Sequence, residues 1–198
     1  NSAQKRGIRV TGSELVGLIP LQSLLDAGKY FLKKQQRSVG VPESELIKIA
    51  VKSLGLDELK PFDPEKKIIE YLIPYADDKK LVSMSVEKFA DETSSESPAP
   101  GGGSVAVLAG AMGASLATMV ANLSSHKRGW DEKWEFFCDW AEKGQTLKNK
   151  LIHLVDEDTA SFNRIMAAFG LPNTTDAEKT ARKQAVQDAT KYATEIPF

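Results

Sequence analysis

Between residues 147 and 166 the apolar side chains Leu147, Leu151, Leu154, Phe162, Ile165 and Met166 step by three or four, the repeat of one helix face. Asp158 falls on that row, four after Leu154 and four before Phe162, while Asp156 and Glu157 fall beside it. A carboxyl group set among apolar side chains is disfavoured as an anion, and full burial of such a group raises its pKa by about 3–5 units. An acid tuned in that way suits proton transfer near neutral pH. The same position also suits a structural aspartate bonded to a neighbouring helix, or one at a wet edge of a bundle.

A second candidate is Ser97-Pro98-Ala99-Pro100-Gly101-Gly102-Gly103-Ser104, which leads directly into a helical pattern. Glycines let a ligand approach the backbone, and the unpaired amides of a helix start attract anions. Pro100, Gly101, Gly102, Gly103 and Ser104 are therefore candidate binding residues. The run is neither a Walker loop nor a G-x-G-x-x-G fingerprint, and a flexible linker with a capped helix remains the alternative. Downstream, Ala109, Gly110, Gly113, Ala114 and Ala117 would let another helix backbone come close, as in a tight helix pair or a dimer seam. His126, Lys127 and Arg128 follow that helix, where positive charge complements its dipole; holding an acidic ligand is the other option. His153, five before Asp158, is off its face and should be solvated, and Trp130, Trp134 and Trp140 should pack a bundle.

These residues need elements to hold them. Residues 8–10 read as a short strand running into Thr11-Gly12-Ser13, and residues 15–19 as a second strand or the approach to a helix. Pro20 suits the first position of a helix carrying Leu21, Leu24, Leu25, Phe31 and Leu32, and residues 42–54 suit another, stopped by Gly55. Asp63-Pro64 signals a capped short helix. Residues 75–83 read as a linker between a first part, 1–74, and a second, 84–198. In the second part Ser85 should cap a helix to about residue 90, and Ser104 should cap another over residues 105–123. A long helix should run over 132–169, and a Thr175–Glu178 capping box should open the last one. The fold class is mainly α: a helical bundle preceded by the end of an α/β domain. An opening strand without partners and a stop at Pro197-Phe198 suggest a fragment of a longer protein.

Composition narrows the function. With 41% hydrophobic and 27% charged residues, the 198-residue chain suits a soluble globular protein. The first 83 residues carry 14 basic and 11 acidic side chains and the rest 12 and 16, so neither part resembles a nucleic-acid binder. The single cysteine, Cys138, and two distant histidines give no zinc spacing and no intrachain disulfide, which points to a reducing, cytoplasmic compartment and no metal. Residues 97–125 carry no charge, but their glycine, serine and threonine content argues against a membrane span.

The motifs resemble a known family. Gly12-Ser13-Glu14-Leu15-Val16-Gly17-Leu18-Ile19-Pro20 with Leu24-Leu25-Asp26-Ala27 is similar to the end of a formiminotransferase domain. So are Leu54-Gly55-Leu56-Asp57, Pro61-Phe62 and Ile68-Ile69-Glu70-Tyr71-Leu72. Pro98-Ala99-Pro100-Gly101-Gly102-Gly103-Ser104-Val105-Ala106 and Leu154-Val155-Asp156-Glu157-Asp158 with Phe162 look like a cyclodeaminase domain. The resemblance, to the formimidoyltransferase-cyclodeaminase family, implies a folate enzyme of histidine degradation. It would move a formimino group from formiminoglutamate to tetrahydrofolate, a polyglutamylated co-substrate, and then close 5-formiminotetrahydrofolate to 5,10-methenyltetrahydrofolate with release of ammonia. It further implies that Asp158 is the catalytic acid, that the glycine loop and the Ser104 amide meet the glutamate tail or another polar edge of the folate, and that the protein is a homo-oligomer. The transferase histidine of the family lies outside these residues, and neither His126 nor His153 replaces it. The rival expectations are a methenyltetrahydrofolate cyclohydrolase and a non-catalytic helical oligomerisation module.

Overall fold

The computed structural model describes residues 2–10, 12–73 and 80–196. Thr11, most of the linker expected at 75–83, and the Pro197-Phe198 stop lie outside that set. The described residues contain helices and no strand ladder. Residues 8–10 are irregular and open to solvent. The one trace of sheet is a parallel bridge between Ile19 and Ile68, in which Ile19 N–H donates to Lys67 O at 2.9 Å and Ile69 N–H to Ile19 O at 3.0 Å. The strand expected at residues 8–10 is thus corrected, and residues 15–19 form the approach to a helix, the second of the two options for them. β-branched residues make a ladder only where a second strand satisfies their N–H and C=O groups, and none is present among the described residues.

Contacts divide the chain into two compact units, one of Asn1–Ala76 with Ala117–Gln145 and one of Asp77–Leu116 with Thr146–Phe198. In the first, α1 (Leu21–Lys34) and α2 (Glu43–Leu54) pack Leu24, Ile47, Ala50, Val51 and Ile68 into a core. Gly28 permits this, because a Cβ there would strike the Leu46 backbone. Gly55 ends α2 in the left-handed conformation at φ 67°. Glu70 accepts from the Leu21 N–H at 2.7 Å, supplying the start of α1 with the acceptor that Pro20 cannot. Asp63 caps α3 (Pro64–Lys67), which is followed by α4 (Ile69–Leu72).

Ser85 caps α5 (Val86–Thr93), three residues longer than expected. Then come α6 (Gly102–Ser124) and α7 (Trp134–Phe169), and the Thr175–Glu178 capping box opens α8 (Asp176–Glu195). Leu81, Val107 and Val155 form the core of the second unit, with Met84, Phe89, Leu108, Leu151 and Leu154 against it. On α7 the expected apolar row is only partly covered: Leu147 and Met166 are half exposed, while Val155 and Ser161 are buried. Trp140, expected in the bundle, is 53% exposed.

The buried row of α6 is Ser104, Val107, Ala111, Thr118 and Ala121, continued by Ser125 just past its end. Of the small residues expected at a tight helix pair or a dimer seam, Ala109, Gly110, Gly113 and Ala117 lie on its open side and Ala114 is half-buried. By length and a mean hydropathy of 1.8, α6 is long and apolar enough to cross a membrane. Its polar side chains are nonetheless committed within the protein: Asn122 Nδ2 donates to Gly40 O at 2.7 Å, and Ser104 bonds to α7.

Candidate functional site

Three consecutive acids of α7 reach three different segments, because successive helical residues point about 100° apart. Asp156 Oδ1 accepts from the Leu81 N–H at 2.7 Å. Glu157 Oε1 accepts a hydrogen bond from the Tyr192 hydroxyl of α8, and this carboxylate holds the phenol above its ordinary pKa. Asp158 Oδ2 accepts from the Ser104 N–H at 2.7 Å and lies 2.8 Å from Ser104 Oγ.

The Ser104 hydroxyl also lies 3.0 Å from Val155 O, with Thr159 Oγ1 at 3.3 Å. Asp158 therefore serves as a cap for α6 supplied from another helix, satisfying one of the donors that every helix start leaves open. Its surroundings are these hydroxyls and amides on one side and a cavity on the other, rather than the purely apolar setting expected. Ser104 is fully buried and sits inside the first turn, which begins three residues earlier than expected.

Gly103 makes the approach possible. A Cβ at that position would overlap the Asp158 carboxylate, so no other residue lets α6 and Asp158 meet as they do. A Cβ at Gly101 or Gly102 would point into open space.

A cavity of about 250 Å³ opens at this point, lined by Pro98, Gly101, Gly102, Gly103, Asp158 and Phe162, with Ala99, Thr159, Ser161, Ile165 and Ala193 completing its wall. Thus Asp158 and Gly101–Gly103, 55 or more residues apart in sequence, are brought together. Pro100 is buried and follows a cis Ala99–Pro100 bond, and Ser104 lies behind the wall. The Ser104 amide, expected to be free for a ligand, is already bonded to Asp158.

His126, Lys127 and Arg128 belong to the other unit, where the Lys127 ammonium sits 4.2 Å over the Trp130 ring. His153 is exposed. Among the described residues no group of three or more His, Cys, Asp or Glu side chains is placed to hold a metal ion. Sequence reasoning overlooked Tyr192 and Thr159. Tyr192 carried no local signal, whereas Thr159 could have been flagged as the neighbour of Asp158.

Against known proteins, residues 85–198 match the family model described as formiminotransferase-cyclodeaminase, and residues 1–74 match the formiminotransferase domain. The chain belongs to the formiminotransferase-cyclodeaminase family. The formimidoyltransferase-cyclodeaminase of Rattus norvegicus is 37% identical over 197 residues, 99% of this chain and 36% of that protein. That of Dictyostelium discoideum is 34% identical over 200 residues. The methenyltetrahydrofolate cyclohydrolase of Methylorubrum extorquens is 40% identical over 114 residues, 58% of this chain and 55% of its own length. The chain thus spans about a third of the length of the bifunctional relatives, and both parts of it fall within the family's domains.

Proposed function

We propose that the protein carrying this chain cyclises 5-formiminotetrahydrofolate to 5,10-methenyltetrahydrofolate and releases ammonia, with Asp158 moving the proton. The observation that carries this reading is Asp158 at the wall of the cavity, anchored through one oxygen by Ser104. N10 of the folate attacks the formimino carbon, forming a C–N bond, and must lose its proton. The formimino group enters as its iminium cation, so the former imino nitrogen is an NH2 group after the attack. That nitrogen must gain one proton before its bond to carbon breaks, ammonia leaves and the positive charge stays on the methenyl product. A carboxylate held beside the reacting carbon takes the first proton and delivers it to the second nitrogen, so no net charge is transferred to solvent. Positioned proton transfer of this kind contributes about 10²–10⁴-fold in rate.

A cavity of about 250 Å³ is smaller than the roughly 300–1,000 Å³ of pockets that enclose whole drug-sized ligands. It suits one end of the folate, the ring system with its reacting carbon, with Gly101 and Gly102 leaving the backbone open to a close approach. Transfer of the formimino group from formiminoglutamate, a place in histidine breakdown and a cytoplasmic location belong to the same proposal. Residues 1–74 support the first of these through their domain match. Homo-oligomerisation joins them, supported by the open apolar side chains Met112, Leu116, Met119, Val120 and Leu123 of α6.

The test is ammonia release from 5-formiminotetrahydrofolate, measured with the full polypeptide and its Asp158→Asn variant. The expected result is retained folate binding and a rate at least about 10²-fold lower; a full-rate variant overturns the assignment. The cyclohydrolase relative favours a second reading, hydrolysis of methenyltetrahydrofolate. That reading predicts hydrolysis of the methenyl compound with no ammonia from the formimino substrate.

A further inference from the structure

Helix α8 supplies Ala193 to the cavity wall. None of its residues is buried, and its half-covered row, Arg182, Ala185, Val186, Ala189, Tyr192 and Ala193, contains one large aliphatic side chain. Residues 170–175 connect it back to α7, so the segment carrying Ala193 lies at the far end from that connection. At that far end stands Tyr192. Its hydroxyl donates to Glu157, and the Arg164 guanidinium lies 4.4 Å from its ring centroid. Glu157 and Arg164 are seven residues apart on α7, two turns along one face, so the phenol is gripped both at its tip and on its ring. Glu157 is also the residue before Asp158, which ties the same turn of α7 to α8 and to the start of α6 at once.

We propose that Tyr192, through Glu157, is a positioning residue that latches α8 as a wall of the Asp158 cavity and so sets how tightly the cavity binds its ligand. This inference rests on the cyclodeaminase reading for its substrate, and on the geometry alone for the latch. Tyr192 touches no reacting atom and takes no part in proton transfer. Its loss loosens the wall and leaves the chemistry of Asp158 in place.

The experiment measures amide hydrogen exchange over residues 186–195 without ligand, and steady-state ammonia release, in the full polypeptide and its Tyr192→Phe variant. The variant keeps the ring over Arg164 and removes the hydroxyl. Exchange is expected to quicken roughly tenfold, as loss of a hydrogen bond to a charged group allows. KM is expected to rise severalfold while kcat stays within about twofold, the pattern of lost binding common to ground and transition states. Glu157→Gln keeps an acceptor oxygen for the phenol and is expected to retain most of the protection, whereas Glu157→Ala reproduces the phenylalanine variant.

Unchanged exchange with unchanged KM in Tyr192→Phe overturns the latch. A fall in kcat at constant KM also overturns it, because that outcome places Tyr192 in the chemistry. If Asp158→Asn keeps full activity, the functional reading fails while the exchange result still decides the latch.

Discussion

Two adjacent glycines at the head of α6 carry opposite consequences. At Gly103 a methyl group would overlap the Asp158 carboxylate, so Gly103→Ala must displace either Asp158 or the first turn of α6. Both movements break the hydrogen bonds to Ser104, leaving a buried donor unsatisfied at a cost of about 1–3 kcal/mol. At Gly102 a methyl group meets open space in a helical backbone, where alanine is favoured over glycine by about 1 kcal/mol. We therefore expect Gly103→Ala to lower the melting temperature and remove ammonia release, and Gly102→Ala to raise the melting temperature. If the ligand approaches Gly102 closely, the second variant is also the one that stabilises the protein while weakening folate binding, which titration calorimetry reads directly. The glycine run and Asp158 were both visible in the sequence. That Gly103 exists for Asp158, and not for a ligand, was not visible, because the two are 55 residues apart and no local pattern couples them.

Between elements, Tyr71 of α4 reaches across to α2, donating to Glu43 Oε1 at 2.8 Å. Burial, and then that carboxylate, push its phenol up to about 12 from 10.0. A proton held more tightly in the folded state contributes stability that is full below the unfolded value and is lost as pH rises through the folded one. The expected outcome is a stability that falls between pH 10 and about 12 in denaturant titrations. Tyr71→Phe should flatten that fall, though only in part, because the Tyr192 phenol is also raised and contributes to the same slope. The elements themselves were largely legible: Gly55, Asp63-Pro64, Ser85 and the Thr175–Glu178 box each mark a boundary that the helices respect. The strand at 8–10 was not, since Ile8 and Val10 are β-branched but have no neighbouring strand to pair with among the described residues.

On the scale of the whole chain, the covalent order and the compact units part company. Residues 117–145 group with 1–76, and the contact that explains it is close. Gly40 packs so tightly on Ala141 and Glu142 of α7 that a Cβ would strike their backbone, and Asn122 of α6 donates to the Gly40 carbonyl. Cys138 is buried in the same region, where burial pushes its thiol up and the Ser38 and Ser125 hydroxyls pull the other way. Gly40→Ala should therefore cost about 1–3 kcal/mol through overpacking. The measurement is the reactivity of Cys138 toward a thiol reagent under native conditions, expected to be negligible in the unaltered protein and readily detected in the variant.

What the amino-acid sequence determined alone is most of the helices, several of their starts and stops, the family, and two separate candidates for chemistry. Each of those signals is complete within a few residues: a cap, a turn, a run of glycines, a row of side chains at helical spacing. The tertiary structure alone decided which face of α6 is buried, that the Ser104 amide belongs to Asp158, and that Tyr192 holds α8 against Glu157. The reason is physical. A side chain's propensity acts on its own turn of backbone, but the worth of a hydroxyl, an amide or a missing methyl group depends on what another segment brings to within 3 Å of it.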